Sequence, residues 1–180
     1  MKKGHHRRKV GESMGDIANP SEEHQMLREM IRDFTHEFVE PQAHEFDKKE
    51  QFNLDLFRQL GELGLLGITV PEEYGGSGLD AVAATIAHEE LSYSDPGFTL
   101  AYLAHSMLFV NNLAQNGSEK QKNRILPKVC SGEWIGAMAM SEPDAGTDVL
   151  GLSTTAKQND SGDWILNGRK MWITNGCIDD

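Results

Sequence analysis

The first strongly patterned stretch of the chain begins at Ser21 and has the spacing of an amphipathic helix. Serine often caps a helix N-terminus, because its hydroxyl accepts a hydrogen bond from an amide of the first turn. Apolar residues then recur with the period of one helix face; they are Met26, Leu27, Met30, Ile31, Phe34 and Phe38. The pattern predicts a helix that Pro41 bends or ends, since proline has no amide hydrogen to donate.

Two more helices are predicted on the same grounds. Asn53 caps a second helix, which closes in a stretch with two glycines and Pro71. Asp80 caps a third helix that runs through Leu91. The apolar positions of the two helices are Leu54, Phe57, Leu60, Leu63, Val82, Ile86 and Leu91. Between the helices, residues 72–78 (EEYGGSG) have the composition of a loop.

Residues 98–113 are apolar on almost every side, with only short polar interruptions. A helix of this kind is typical of the middle of a bundle. Ser118 and Gln121 then have the spacing of a capping box, which predicts a fifth helix that stops before Gly132. Five helices predict an all-helical bundle domain over residues 21–134.

The pattern changes at residues 134–140 (WIGAMAM), which are apolar without helical spacing. Strands are predicted beyond them, at residues 153–157, 164–166 and 169–174. Asn167–Gly168 is a strong hairpin signal between the last two strands, and residues 160–162 supply the preceding turn. The predicted fold class is therefore α+β, with a helical bundle followed over residues 135–180 by the start of an antiparallel β domain. So few strands leave an unpaired sheet edge, and we expect the chain to be the front part of a longer protein.

Charge is distributed unevenly along the chain. The 17 Lys and Arg residues and 28 Asp and Glu residues give a formal net charge of −11. Residues 1–9 contain five basic residues and no acidic one, so the rest of the chain carries −16. A body this acidic argues against nucleic acid and anionic lipid as partners. No apolar run approaches the roughly 20 residues of a membrane span.

Residues 1–20 have no periodicity and contain several glycines, so they are predicted to form a flexible tail. The basic start lacks the apolar stretch of a secretion signal, and whether it is a transit peptide stays open. The two cysteines, Cys130 and Cys177, are spaced for neither a metal site nor a redox pair. Two such cysteines are typical of reduced thiols inside a cell.

Other motifs that suggest chemistry lack their required context. Residues 11–15 (GESMG) match the nucleophile motif of serine hydrolases, which needs a strand before it and a helix after it. Here the motif lies in a charged tail, and the hydrolase hypothesis is disfavoured. The His-Glu pairs at His36 and His44 have no second histidine at the spacing of zinc proteases, so we expect no metal site.

Two segments of the second half carry residue types that suit a polar ligand. Residues 139–151 (AMSEPDAGTDVLG) form a turn that would present amide groups and the hydroxyls of Ser141 and Thr147 outward. Residues 170–175 (KMWITN) combine Trp172 with a hydroxyl at the end of a strand. Taken singly, each segment is more often structural than ligand-binding.

Taken together, the two segments resemble the acyl-CoA dehydrogenase family. The first is similar to the family's signature segment, and the second to its W-I-T strand. The helical part agrees, in the runs LGLLGITVPEEYGGSGLD, HEELS and NNLAQNGSEKQKNRILPKVCSGEWIGAMAMSEP. The resemblance covers about residues 20–178. Within the family, residues 102–106 (YLAHS) are most similar to the branch that acts on isovaleryl-CoA.

The resemblance implies an FAD-dependent enzyme for a short, branched acyl-CoA. Members of the family remove the α-proton of the thioester with a glutamate, pass the β-hydride to the flavin, and deliver electrons to an electron-transfer flavoprotein. A homotetramer is implied, in the mitochondrial matrix of a eukaryote or otherwise in the cytoplasm. The family's glutamate base lies in a C-terminal helical domain beyond Asp180. The resemblance therefore assigns no catalytic residue to these 180 residues and implies that they are inactive on their own.

The family match also assigns cofactor-binding residues: Met138, Ala139, Met140, Ser141, Gly146, Thr147, Trp172, Ile173 and Thr174. A strand over residues 138–141 would follow the N1–C2=O edge of the flavin, where donors stabilise the charge of the reduced ring. Thr147 would reach the pyrophosphate or the acyl-CoA, so it is also assigned to substrate. Trp172 would lie against the flavin face, with the hydroxyl of Thr174 near N5.

Three questions stay open at this point. The apolar helix around residues 102–109 forms either a wall of the acyl pocket or plain core. A relative of the same fold could use the flavin for oxidase or monooxygenase chemistry. A truncated, non-catalytic remnant that binds a partner or a nucleotide is the alternative of a different class.

Overall fold

The computed structural model of the protein describes residues 20–178. In this part of the chain the helical segments join into five continuous helices, as the sequence predicts. The first consists of α1 (Glu22–Phe34), a π-helical turn (Thr35–Val39) and α2 (Glu40–Lys48). Ser21 caps it, since its Oγ accepts from the amide of His24 at 3.2 Å.

The predicted end or bend at Pro41 is replaced by a helix that continues to Lys48. In the preceding π-helical turn, the amide of Glu40 reaches the carbonyl of Thr35, five residues back. Pro41 therefore falls in the first turn of α2, where a missing amide hydrogen costs little. The π-helical turn shifts the register of the main-chain hydrogen bonds, so the helix accommodates Pro41 without a break.

The second and third helices begin at the predicted caps. In α3 (Leu54–Glu62), Asn53 Oδ1 accepts from the amide of Leu56 at 3.0 Å. In α4 (Ala81–Ser94), Asp80 Oδ1 accepts from the amide of Ala83 at 2.9 Å. A short 3₁₀ turn, Glu72–Tyr74, lies in the loop between the two helices.

The fourth helix joins α5 (Pro96–Leu103), a π-helical stretch (Ala104–Asn111) and α6 (Asn112–Asn116). The fifth, α7, spans Glu119–Cys130 and begins with the predicted capping box. Ser118 N–H donates to Gln121 Oε1 at 2.8 Å, and Gln121 N–H donates to Ser118 Oγ at 3.4 Å.

The core of the bundle lies where α4 packs between α1 and α5. Its largest fully buried side chains are Ile31, Phe57, Leu60, Leu65, Leu66, Ile68, Ile86, Leu91 and Tyr102. A second, smaller cluster joins α7 to the rest through Val70, Val110, Leu126, Val129 and Cys130. The fourth helix is not buried on every side, however, since Leu100 and Leu108 are exposed.

A partly buried ion cluster joins α1 to α4. The carboxylate of Glu90 accepts from Arg28 Nη1 at 2.5 Å and from Arg32 Nε at 2.9 Å. Glu90 is 7% exposed, so the two guanidinium groups supply the charge that its burial requires.

The second half of the described chain contains one small antiparallel sheet. Strand β1 (Thr155–Gln158) pairs with β2 (Trp164–Asn167), and Thr155 lies opposite Asn167. The predicted turn at residues 160–162 joins them. This hairpin, after a helical bundle, confirms the predicted α+β fold class with an antiparallel β region.

Two predicted strands are wrong. Residues 169–174 are irregular, because Trp172 adopts φ +60° and Asn175 φ +67°, which turn the chain out of an extended conformation. Residues 138–141 are also irregular. Asn167–Gly168 consequently makes no hairpin turn; Gly168 instead packs closely over the side chain of Thr154, where a Cβ atom would collide.

The predicted tail and the GESMG motif lie outside the described residues. Among residues 20–178, no helix is long and apolar enough to cross a membrane. In the same part of the chain, no group of three or more His, Cys, Asp or Glu side chains is arranged to hold a metal ion.

Candidate functional site

The two segments singled out by their composition lie side by side. The amide of Met171 donates to the carbonyl of Ser141 at 3.0 Å. Lys170 Nζ donates to the carbonyl of Met140 at 3.0 Å. Residues 138–141 and 170–175 thus meet through both a main-chain and a side-chain contact, although neither forms a regular strand.

Glu142 is the best-bonded acidic residue of this region, and it is 4% exposed. One carboxylate oxygen accepts from Lys170 Nζ at 2.8 Å and from the amide of Thr154 at 3.0 Å. The other accepts from the amide and the hydroxyl of Ser153, at 2.7 and 2.8 Å. The hydrogen bond from Lys170, with those from the two amides, holds the pKa of Glu142 well below its usual range. A carboxylate held in this way is a poor proton acceptor, so Glu142 is not a general base.

The contacts of Glu142 close a loop over residues 143–152. The chain enters this loop at Glu142 and leaves it at Ser153, which is bonded to the same carboxylate. At its start, Glu142 and Ala145 exchange both main-chain hydrogen bonds, at 2.8 and 3.2 Å. Loops closed at their base in this way are compact and are often functional.

Gly146 and Thr147 lie at the exposed part of this loop. A Cβ atom built on Gly146 would meet nothing within 4 Å, so its backbone is open to a ligand. Within residues 20–178, the amides of Gly146 and Thr147 have no hydrogen-bond acceptor. Free amide groups beside a hydroxyl are suited to bind an anionic or polar group.

Trp172 is 84% exposed and adopts a positive φ. An exposed tryptophan with this backbone is unusual, because a bulky residue in the left-handed region is strained. Ile173 and Thr174 beside it are partly buried. This turn therefore exposes an aromatic side chain, while the two residues that follow it pack partly against the rest of the protein.

The remaining predicted site residues differ in exposure. Met138 and Ser141 are partly buried, whereas Ala139 and Met140 are exposed. The structure therefore brings residues 138–141 next to residues 171–174. Thr147 is connected to this group through the loop that Glu142 closes, and among the described residues it makes no hydrogen bond to Trp172 or Thr174.

A buried histidine attaches this region to the helical bundle. His105 accepts at Nδ1 from the amide of Gly136 at 2.9 Å, and its Nε2 lies 3.0 Å from the carbonyl of Val129. An amide only donates and a carbonyl only accepts, so His105 is the neutral tautomer with its hydrogen on Nε2. Burial lowers the pKa of His105 to about 4.

Gly136 lies against the bundle at a position that admits no side chain. A Cβ atom at this residue would overlap the ring of Phe109. The close approach lets residues 136–141 leave the helical bundle directly beside the fourth helix, and glycine is the residue type that allows it.

The helix around residues 102–109 has one face in the core and one outside it. Tyr102, His105 and Ser106 are buried, with the hydroxyl of Tyr102 donating to the carbonyl of Leu65 at 3.0 Å. Leu103, Met107 and Phe109 are only partly buried. An acyl pocket on this helix would therefore be lined by the face that carries Leu103, Met107 and Phe109. The buried polar side chains of residues 102–106 would not line it.

Sequence reasoning missed the residues that assemble the region. Lys170, Asn175 and His105 all make contacts across more than 25 residues of sequence. One signal was available for Lys170 and Glu142, since the first segment (residues 139–151) is acidic and the second (residues 170–175) begins with a lysine. No local pattern marks His105 or Asn175, because their partners are main-chain groups.

Residues 21–133 match the N-terminal domain of acyl-CoA dehydrogenase, and residues 137–180 match its middle domain. The chain belongs to the acyl-CoA dehydrogenase family. The family resemblance seen in the sequence is confirmed.

Individual relatives support the same assignment. The chain is 48% identical over 158 residues to the mitochondrial isovaleryl-CoA dehydrogenase of Pongo abelii. It is 43% identical over 163 residues to the mitochondrial long-chain specific acyl-CoA dehydrogenase of Sus scrofa. These matches cover 87% and 89% of this chain, but 37% of each relative. The chain thus spans under two-fifths of the length of the curated relatives it matches.

Among solved structures, the chain is similar to an acyl-CoA dehydrogenase from Bacillus anthracis that is complexed with FAD. The TM-score is 0.78 and the identity is 41%, over 86% of this chain and 27% of that one. At this identity, the similarity extends to sequence as well as to fold.

Proposed function

We propose that this chain supplies the flavin-facing N-terminal and middle parts of an FAD-dependent acyl-CoA dehydrogenase. The reaction is the α,β-dehydrogenation of a short, branched acyl-CoA to the 2-enoyl-CoA. The observation that carries the proposal is the junction of residues 138–141 with the turn that displays Trp172. Family membership supports the reaction class, and the FAD-bound relative supports the cofactor.

The residues at this junction fit a flavin by their chemistry. A flavin offers a flat aromatic ring, an edge that accepts hydrogen bonds, and an anionic pyrophosphate. The exposed indole of Trp172 suits the ring face, and the hydroxyls of Ser141 and Thr174 suit the edge. The open backbone at Gly146 and the free amides of Gly146 and Thr147 suit the phosphates or the acyl-CoA.

When bound, the flavin supplies the two-electron acceptor that carbon–carbon dehydrogenation requires. The residues of this chain bind and orient it. Ser141 and Thr174 would donate hydrogen bonds that stabilise negative charge on the ring. Met138 and Ala139 would place the main chain beside the ring, and the partly buried Ile173 would support the turn. No side chain among residues 20–178 is assigned the removal of the substrate proton.

The proposed partners are an acyl-CoA substrate and an electron-transfer flavoprotein, with a homotetramer as the assembly. The short, branched substrate is supported by the 48% identity to an isovaleryl-CoA dehydrogenase. The proposed location is the mitochondrial matrix in a eukaryote, as in the relatives that are named mitochondrial, and otherwise the cytoplasm.

The deciding experiment uses the protein as its native gene encodes it. Its visible spectrum is recorded before and after anaerobic addition of isovaleryl-CoA. We expect a bound-flavin spectrum that bleaches. Flavin that bleaches only with a straight-chain acyl-CoA would contradict the branched substrate. Rapid reoxidation by oxygen after bleaching would favour an oxidase, and a colourless protein that binds no added FAD would contradict the function itself.

Two variants test the assigned flavin contacts. Trp172→Ala should weaken flavin binding while leaving the thermal unfolding midpoint unchanged, because the indole is exposed. Thr174→Val should slow flavin reduction or weaken flavin binding, because a donor is lost. Trp134→Ala is a matched control, since Trp134 is also exposed but contacts Lys128 rather than the junction. Loss of stability without loss of flavin in Trp172→Ala would show a packing role instead.

A further inference from the structure

The side chain of Asn175 bridges two parts of the molecule that are distant in sequence. Its Nδ2 donates to the carbonyl of Ala101 at 3.0 Å and to the carbonyl of Gly136 at 3.2 Å. An asparagine amide has two hydrogens, so one nitrogen can serve both acceptors. The turn that contains Asn175 is thus tied at one point to the fourth helix and to the start of the middle segment.

One acceptor belongs to the helical bundle, and the other is held directly against it. Ala101 is buried in α5, just before the π-helical stretch Ala104–Asn111. Gly136 is buried against Phe109 and donates its own amide to His105. π-Helical segments within α-helices are frequent at functional sites. Asn175 therefore bonds to a rigid support rather than to a loop.

The turn that Asn175 holds is strained. Trp172 and Asn175 both have φ near +60°, a region that is sparsely populated by residues other than glycine. Asparagine tolerates this conformation better than most residues, whereas tryptophan does not. Strained backbone persists only where surrounding contacts hold it. Within the turn, Gly176 N–H donates to Ile173 O at 3.0 Å, and Ile178 N–H donates to Asn175 O at 3.2 Å.

We infer that Asn175 is a positioning residue of the proposed flavin site. Its side-chain amide, bonded to the Ala101 and Gly136 carbonyls, holds the turn that carries Trp172 and Thr174 where it contacts the flavin. This inference rests on the proposed function, because it assigns a role relative to the flavin. It does not make Asn175 a catalytic residue, since Asn175 acts through its neighbours in the turn.

Two substitutions separate the amide from the backbone conformation. Asn175→Asp preserves the shape of the side chain and its tolerance of positive φ, but it removes both donors and places a carboxylate beside two carbonyls. Asn175→Gly makes positive φ easier still, and it also removes both donors. The matched control is Asn116→Asp, since Asn116 Nδ2 donates to the carbonyl of Asn112 at 3.1 Å on an exposed helix surface.

The variants are made in the protein as its native gene encodes it, and three quantities are measured. They are the Kd for FAD by titration of the apoprotein, the hydrogen-exchange rates of the Gly176 and Ile178 amides, and the thermal unfolding midpoint by circular dichroism. Both Asn175 variants should bind FAD about tenfold more weakly, the effect expected for two lost, partly buried hydrogen bonds. Both should exchange faster at the two amides, with an unchanged unfolding midpoint. Asn116→Asp should change neither FAD binding nor exchange.

Each other outcome contradicts the inference in a distinct way. If Asn175→Gly behaves like the wild type, the left-handed backbone matters and the amide does not. If the Asn175 variants lower the unfolding midpoint and weaken FAD binding together, Asn175 contributes to general stability instead. Wild-type protein that binds no FAD would contradict the proposed function instead. In that event, Asn175 variants whose Gly176 and Ile178 amides exchange at the wild-type rate would overturn the positioning role as well.

Discussion

The two halves of the described chain are stabilised by different means. The helical half buries apolar side chains from each of its five helices, and each of these helices begins at a capping residue. In the second half, both strands of the hairpin are exposed along their whole length. That half is organised instead by individual polar contacts from Glu142, Lys170, Asn175 and His105. Apolar burial makes the first half robust, whereas the geometry of the second depends on a few side chains.

The largest contrast is expected between a core residue and a loop residue of similar size. Leu60 is fully buried in α3, and Leu60→Ala should lower the free energy of unfolding by about 3 to 4 kcal/mol, through lost burial and the cavity left behind. Leu150 in the 143–152 loop is 95% exposed, and Leu150→Ala should change it by less than about 0.5 kcal/mol. Denaturant unfolding monitored at 222 nm measures both.

A comparable loss from both substitutions would contradict the division between the halves. It would mean that the exposed loop contributes to the same cooperative unit as the core. Leu108→Ala on the exposed face of the fourth helix is a useful third variant, because it shares the helix but not the burial.

The next effect concerns the histidine that joins the two halves. His105 is neutral in the folded state, and burial lowers its pKa from 6.5 to about 4. Between these values the unfolded chain binds a proton that the folded chain does not, so stability is complete above pH 6.5 and falls as the pH drops towards 4. The loss from this residue by pH 4 should be about 3 kcal/mol, because each unit of pKa difference corresponds to about 1.4 kcal/mol. Burial also lowers the pKa of His88, which adds to the loss in the same direction.

His105→Gln tests this assignment, because a glutamine amide can both donate and accept but does not titrate. The variant should lose less stability between pH 7 and pH 4, as measured by urea unfolding at several pH values. His36→Gln is the control, since His36 is exposed and pairs with Glu40 of its own helix and with the ring of Tyr93. An unchanged pH dependence in His105→Gln would assign the acid sensitivity elsewhere.

The difference between the halves also explains what sequence could predict. Caps and apolar periodicity are local, so Ser21, Asn53, Asp80 and the Ser118–Gln121 box all began helices where the pattern indicated. The strand predictions at residues 138–141 and 169–174 were wrong, since apolar composition favours an extended chain but does not reveal the positive φ of Trp172.

The candidate site, too, could be predicted from the sequence only in part. Family motifs identified residues 138–141 and 172–174, because those residues carry recognisable side-chain types. The contacts that join them depend on main-chain carbonyls and amides, as in Asn175 with Ala101 and His105 with Gly136. Every residue offers such groups, so no sequence pattern distinguishes the ones that are used.

A smaller and more local effect is expected at Glu142. Glu142→Gln keeps the size of the side chain but removes the charge that pairs with Lys170, and its NH₂ group faces amide donors. The 143–152 loop should become more sensitive to proteolysis, and FAD binding should weaken about tenfold, while the helical unfolding midpoint stays constant. Because the pKa of Glu142 lies below its usual range, its contribution is present above pH 4.5 and is lost as the pH falls further.

Glu133→Gln is the matched control for this variant. Glu133 also pairs with a lysine, since its Oε1 lies 2.7 Å from Lys128 Nζ, but it is exposed and outside the loop. Equal loop cleavage in the two variants would contradict the closing role of Glu142. Limited proteolysis followed by mass spectrometry locates the cut.

The smallest effect separates two roles of Asp80 within the helical half. Its carboxylate caps α4 through the amide of Ala83 and also lies 3.0 Å from His24 Nε2. Asparagine caps a helix as well as aspartate does, so Asp80→Asn should change the free energy of unfolding by at most about 0.5 kcal/mol, the usual value of an exposed ion pair. Asp80→Ala removes the cap too and should cost about 1 kcal/mol.

The pH dependence distinguishes the two roles further. The hydrogen bond from His24 and that from the amide of Ala83 lower the pKa of Asp80, so its contribution is present above its unfolded pKa of 3.8 and is lost as the pH falls below it. Urea unfolding at pH 7 and pH 3 should therefore give Asp80→Asn a smaller acid loss than the wild type. Equal losses in Asp80→Asn and Asp80→Ala at pH 7 would mean that the charge, rather than the cap, sets the stability of this helix start.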